Sequence, residues 1–249
     1  MKVIIMAAGV GSRLQKKLGN VPKCCSVAGG ETLIERNLRL LQSRGLHDVT
    51  VVLGYQSQLV RSQLSHRKNI RFYLNPFFNI TNSISSLWFA RKELDGSDDV
   101  LIMNGDVFYE PGILDVVLAP KETVVMFADP RRKDEADYKF KYAEGLLTAY
   151  GKNIPTAEAT GEYVGIARLH RGVVREFRAR LDQLIGFQQH GLWWEDALYK
   201  LCSDGMPIHV REITDKFWAE VDFIEDMERI EAYIAQRTAA APAALILAA

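Results

Sequence analysis

Two spacings of apolar residues alternate along this chain. Residues 2–6 form a short, nearly unbroken apolar run, the pattern of a strand buried on both faces. Thr32-Leu33-Ile34-Glu35 then reads as a capping box, and Ile34, Leu38 and Leu41 recur at helical spacing until Gly45 stops them. Residues 49–53 predict a second strand, 56–64 a second helix and 70–74 a third strand. This β-α-β-α-β order implies a parallel sheet with right-handed crossovers. Asn75-Pro76 breaks the chain. Beyond it the pattern predicts a helix over 83–93, an apolar strand over 100–103, a helix over 113–118 and a strand over 123–128.

The pattern then changes. Residues 138–142 and 146–150, joined by Ala143-Glu144-Gly145, predict an antiparallel hairpin. Residues 152–158 are polar and loop-like, and 162–169 read as a strand. Helices over about 172–184 and 194–202, strands over 208–212 and 217–221, and a closing helix over 223–237 complete the chain. The expected fold class is α/β: a Rossmann-like, three-layer, mostly parallel mixed sheet with a small antiparallel subregion. One domain over residues 1–237 is expected, with halves at about 1–130 and 131–237, followed by an Ala-rich tail at 238–249.

Composition narrows the partners. The chain has 249 residues, with 31 Lys plus Arg against 31 Asp plus Glu, so it lacks the basic excess of a general nucleic-acid binder. Its three cysteines include the adjacent pair Cys24-Cys25, which makes neither a disulfide framework nor a zinc spacing; a reducing cytoplasm is expected. The five histidines show no ligand spacing. No membrane association is expected: the opening residues lack a leader pattern, and the tail is shorter than the about 20 apolar residues a span needs. The tail reads as a frayed end or as a helix extension packing on a neighbour, which leaves a homo-oligomer open.

Candidate chemistry begins where the first strand ends. Ala7-Ala8-Gly9-Val10-Gly11-Ser12-Arg13 is a small-residue turn closing on a cation, and Pro22-Lys23 supplies a second cation. Such a turn offers backbone N–H groups to an anion, and Arg13 with Lys23 would neutralise a polyphosphate. Leu14 stands where the dinucleotide fingerprint needs glycine, and no Walker sequence follows. Asp106 lies just past the strand at 100–103, at the sheet edge where ligands bind in open α/β folds. There it would meet phosphates through magnesium, or else cap the next helix. Asp222 stands at the position of an N-cap for the last helix.

The AAGxGSRL run followed by Pro22-Lys23 resembles the signature of nucleotidyltransferases that activate sugar phosphates and phosphocholine. The resemblance spans about residues 2–235. In that group a WxE(I/V)D segment, here residues 218–222, supplies a second metal-binding aspartate, so Asp106 and Asp222 would together hold Mg2+. The segment at 75–88, NPFFNITNSISSLW, resembles the group's base-recognition loop, with Asn82, Ser83 and Ser85 reading the base, capping the helix, or both. The absence of a GLAQA-type segment tilts the resemblance to the phosphocholine cytidylyltransferase branch and to CTP. The first half would then hold the nucleotide and the second half the acceptor.

Gly161-Glu162-Tyr163-Val164-Gly165-Ile166 resembles that branch's strand beside the acceptor pocket. Tyr163, Trp193, Trp194 and Trp218 would receive an ammonium group on the acceptor, or else pack as core. Glu162 or Glu195 would add a counter-charge, and one of Lys139, Lys141 and Lys152, with Lys141 and Lys152 the better placed by the resemblance, would meet the acceptor phosphate, or else they stand as surface charge. The expected catalytic set is Arg13, Lys23, Asp106 and Asp222, with Ala7, Ala8, Gly9, Gly11 and Ser12 around the nucleotide. The implied acceptor is phosphocholine first, a phosphonate such as 2-aminoethylphosphonate second, and a sugar 1-phosphate with UTP or dTTP third. A nucleotide-sensing domain without turnover is the non-enzymatic alternative.

Overall fold

The structure, a computed structural model, describes residues 1–11 and 20–246, with side chains through residue 239. In chain order the elements are β1 (Lys2–Ala7), β2 (Val27–Ala28), β3 (Glu31–Thr32), α1 (Leu33–Gln42), β4 (Val49–Leu53), α2 (Ser57–Gln63), β5 (Ile70–Leu74), α3 (Ser83–Phe89), β6 (Val100–Asn104), β7 (Val107–Tyr109), α4 (Gly112–Leu118) and β8 (Val124–Asp129). Then follow β9 (Lys139–Ala143), β10 (Leu146–Gly151), β11 (Gly161–Leu169), α5 (Arg171–Gly186), α6 (Asp196–Ser203), β12 (His209–Glu212), β13 (Trp218–Glu220) and α7 (Ile224–Ile246).

The main sheet has nine strands in the order β5-β4-β1-β6-β11-β8-β12-β10-β9. Strands β5, β4, β1 and β6 run parallel, as the βα alternation requires. Strand β11 then enters antiparallel to both β6 and β8, and β9 and β10 form the antiparallel hairpin. The antiparallel part is therefore larger than the pattern suggested, because β11 sits in mid-sheet and joins the two halves. All nine residues of β11 are buried, so no alternation of exposed and buried positions distinguishes it from a parallel strand.

Alternation along β1 divides the core. Ile4 and Met6 pack with Ile84 and Leu87 of α3, with α5 and with α6 on one face of the sheet. Val3 and Ile5 pack with Ile34 and Leu38 of α1, with Val60 of α2 and with α4 on the other. Each such fully buried aliphatic side chain contributes about 1.5–3 kcal/mol relative to exposure. The α1 capping box is half formed: Thr32 Oγ1 accepts from the Glu35 N–H at 3.4 Å, while the Glu35 carboxylate turns to Arg67. Helix α7 continues through Ile246, so the tail extends the closing helix. Among the described residues no helix is long and apolar enough to cross a membrane.

A two-stranded ribbon lies outside the main sheet. Strand β7 pairs antiparallel with β13, Val107 opposite Glu220, and the Val221 N–H donates to the Asp106 carbonyl at 2.9 Å. This ribbon joins segments more than a hundred residues apart and places Asp106 beside the 220–222 segment.

Candidate active site

The carboxyl ends of β1 and β6 open into a cleft of about 500 Å³. The main chain of Ala8 to Gly11 borders it at one end, and Lys23, Asp106, Glu220 and Asp222 line its floor. Gly11 has a φ of +63°, and a Cβ there would lie 2.7 Å from Cγ of Lys23. Only glycine therefore lets the turn close over the lysine stem. Gly105 is tight for a different reason: its Cβ would come 2.8 Å from the Met6 carbonyl.

Lys23 opens a short 3-10 turn, Lys23–Cys25, and reaches both aspartates. Its ammonium pairs with Asp222 and lies 3.5 Å from Asp106 Oδ2. Burial works against this charge, but Asp106 and Asp222 outweigh it and hold the lysine pKa above its usual value. Burial, together with the Asp222 charge, raises Asp106 even though Lys23 pulls it down. Burial and the charges of Asp106 and Asp222 push Glu220 well above the ordinary carboxylate range. Asp222 does not cap α7. The Asp226 carboxylate accepts from the N–H groups of Asp222 and Phe223 at 3.0 and 2.8 Å, and the Asp222 carboxylate turns to Lys23.

This donor set suits a hard divalent cation. Three carboxylates face one ammonium, and their mutual repulsion is what an added positive charge relieves. Among the described residues no three acidic, His or Cys side chains converge as a protein-only cage. That fits magnesium, which is commonly bound through one or two carboxylates plus substrate phosphates.

Several expected residues sit elsewhere. Arg13 and Ser12 lie outside the described residues. Asn82 and Ser83 line the cleft, but Ser85 does not; Ser86 takes its place, because positions three apart share a helix face. The Asn82 side chain accepts from the Ser83 N–H at 2.7 Å and donates to the Gly191 carbonyl at 3.2 Å, so it caps α3. Ala7 ends β1 and is buried outside the cleft lining. Lys141 pairs with Glu158 at 2.8 Å on the exposed side of the hairpin, away from the cleft.

Among the expected aromatics, Tyr163 and Trp193 line the cleft, while Trp194 and Trp218 are core residues. Trp194 Nε1 donates to Asn104 Oδ1 at 3.1 Å, and Trp218 Nε1 donates to Asp129 Oδ2 at 3.0 Å. The Trp218 acceptor is buried and the Trp194 acceptor half-buried, and the linear pattern reveals neither. Lys152 lines the cleft and pairs with Asp137 at 2.6 Å. Glu162 also lines it, yet its oxygens already accept from Arg132 at 2.7 Å and from the Asp137 N–H at 3.0 Å.

Sequence reasoning assigned no role to Glu220, Thr81, Ser86, Asn104, Tyr138 and Tyr199, all of which line the cleft. Glu220 stands two residues from Asp222, the spacing that puts side chains on one side of an extended segment, and that signal was available. The others come from loops and strand ends without a distinctive spacing.

The geometry has relatives. CMP-5'-(3-aminopropyl)phosphonate synthase of Streptomyces rubellomurinus is 27% identical over 233 residues, covering 89% of this chain but only 37% of that protein. CTP:phosphoglutamine cytidylyltransferase of Campylobacter jejuni is 24% identical over 252 residues, covering 92% of this chain and 98% of the relative. Among solved structures, CTP:phosphocholine cytidylyltransferase from Streptococcus pneumoniae superposes with a TM-score of 0.77 at 17% identity, covering 94% of this chain and 98% of that one. At that identity the superposition establishes the shared fold. The family profile of the MobA-like NTP transferase domain matches residues 3–190, three quarters of the chain, and the protein therefore belongs to that nucleotidyltransferase family.

Proposed function

We propose that this nucleotidyltransferase moves a cytidylyl group from CTP to a small phosphate or phosphonate acceptor that carries an ammonium group, releasing pyrophosphate. The observation that carries this reading is the pairing of Lys23 with both Asp106 and Asp222 at the cleft floor, beside the main chain of Ala8 to Gly11. The choice of CTP is supported by the cytidine nucleotides in the names of the two sequence relatives. Phosphocholine and the aminoalkylphosphonates are the acceptor classes in view.

The chemistry asks little covalent help of the protein. An anionic acceptor oxygen forms a bond to the α-phosphorus as the bond to the pyrophosphate oxygen breaks, and no proton has to be removed first. What the site must supply is position and positive charge. Lys23 meets the phosphate oxygens, while the N–H groups of the glycine turn fix the triphosphate; Arg13, which lies outside the described residues, is expected from the sequence alone to add a second cation. Asp106 and Asp222 would hold Mg2+, which when bound neutralises phosphate charge. Glu220 stands beside them, and the charge of such an ion would favour its ionised form.

The test is pyrophosphate release from a panel of nucleoside triphosphates and acceptors with magnesium present. Release with CTP and phosphocholine or an aminoalkylphosphonate supports the reading. Turnover confined to sugar 1-phosphates with UTP or dTTP refutes it. Tight CTP binding without release from any pair would mark a nucleotide sensor.

A further inference from the structure

Trp193, Trp194 and Glu195 lead from the loop after α5 into α6, and Trp193 and Glu195 line the cleft. Three hydrogen bonds pin this segment. The Trp194 N–H donates to Ser83 Oγ at 3.0 Å, the Trp194 ring donates to Asn104, and the Trp193 N–H donates to Asp196 Oδ2 at 2.8 Å. Asp196 therefore does the capping at the start of α6, and the Glu195 side chain makes no capping bond. Glu195 is only 8% exposed, lines the cleft, and pairs with no Lys or Arg among the described residues. Lys152, a cation in the same lining, is engaged by Asp137. A buried carboxyl without a cation is costly, so its retention on a ligand-facing wall calls for an explanation.

A second group at the same wall lacks a partner. The Tyr163 hydroxyl is buried and makes no hydrogen bond. It lies within the electrostatic reach of Glu195: burial, and then the Glu195 charge, raise the tyrosine pKa. The Glu195 carboxyl, which bonds to its own backbone N–H, and the Tyr163 hydroxyl thus line the acceptor end with hydrogen-bonding capacity left over among the described residues.

The rings around them do not form an open cage. Tyr199 is stacked on Tyr150 at 3.8 Å and on Tyr138 at 6.1 Å, so both its faces are covered. Tyr163 stacks on Phe140 at 5.0 Å. The Lys152 ammonium lies 5.4 Å from the centre of the Trp193 ring. Recognition of a quaternary ammonium relies on open aromatic faces. Unspent oxygen acceptors instead suit N–H donors, which a trimethylated nitrogen lacks.

We infer that Glu195, with the Tyr163 hydroxyl, selects an acceptor whose ammonium group carries N–H bonds, a primary aminoalkyl phosphate or phosphonate in preference to a quaternary one. This rests on the cytidylyl-transfer reading for its substrate frame, and it makes Glu195 a specificity-determining residue of the same cleft.

The experiment uses the full chain and the N-methylation series from phosphoethanolamine to phosphocholine. Pyrophosphate release is followed with CTP, and binding of each acceptor is measured by calorimetry without nucleotide. Losing every N–H should lower kcat/KM and affinity at least about tenfold, the scale of one hydrogen bond to a charged group. Glu195→Gln should raise the KM for phosphoethanolamine by about tenfold or more, leave the KM for CTP in place, and flatten the series. A flat series in the native protein overturns the inference, as does one that rises toward phosphocholine or one that Glu195→Gln leaves unchanged. Failure of CTP as donor would refute the functional reading alone, because the calorimetric series still reports the amine preference.

Discussion

The two ends of the cleft meet their ligands in different ways. At the nucleotide end the contacts are backbone of a glycine turn and a lysine already paired with two aspartates. At the acceptor end, among the described residues, a buried carboxyl stands without a cation and a buried hydroxyl without a hydrogen bond, among packed rings. Main chain and satisfied charge serve any member of a family that handles the same triphosphate. Unsatisfied polar groups instead discriminate, because only the right ligand relieves their cost. The difference teaches where generality and specificity reside in this molecule.

The largest effect expected is at the nucleotide end. Asp106→Asn and Asp222→Asn should each lower pyrophosphate release by roughly a thousandfold, the scale of losing a group aimed at developing charge. Neither should lower the melting temperature much, since each relieves crowding among buried acids. Chelation of divalent ions should abolish release in the native protein, with magnesium restoring it. Near-normal rates in either variant would break the contrast between the two ends.

Next comes Lys23→Ala, which removes a lysine that pairs with both aspartates. Turnover should fall by about a hundredfold. Here stability should fall as well, because Asp106 and Glu220 keep their burial and lose their neutralising partner. Thermal melts beside kinetics separate this variant from the aspartate substitutions.

A smaller effect sharpens the acceptor end. Burial first, aided by the charges of Asp196 and Asp106, pushes the Glu195 carboxyl up to about 8 from an ordinary 4.5. Between those values the folded protein holds a proton that the unfolded chain has released. Native stability therefore falls as pH rises through that window, by up to about 1.4 kcal/mol per pH unit, and levels off above it. Glu195→Gln does not titrate, so its stability advantage should be small near pH 5 and largest above pH 8. Denaturant unfolding across that range checks it; a constant gap would show that the carboxyl is not held protonated.

The smallest catalytic effect belongs to Trp218→Phe. The ring is buried and bonds to Asp129, outside the cleft. Acceptor KM should hold while stability drops by about 1–3 kcal/mol, the cost of a buried acceptor losing its donor.

Much of this site was legible before any coordinates. The turn at Ala8 to Gly11, Lys23, and the aspartates after an apolar strand and before the last helix all stand on the cleft. Each is announced by local chemistry: glycine where backbone must approach, a cation close behind, an acid at a strand end. The tryptophans were less legible. Trp193 lines the cleft while its neighbour Trp194 is fully buried, and nothing in the pair Trp193-Trp194 says which is which. Ser85 and Ser86 differ only by the phase of α3, and Lys141 and Lys152 only by which side of a hairpin faces the cleft.

The sequence by itself determined the βα alternation, the glycine turn and the identity of the charged groups, because periodicity and backbone freedom act over a few residues. Tertiary structure alone decided that β11 enters the sheet antiparallel, that the β7–β13 ribbon carries Asp106 to Asp222, and that Glu195 is left without a cation among the described residues. Those outcomes depend on which distant segments come into contact, and contact between distant segments is selected by the packing of the whole chain.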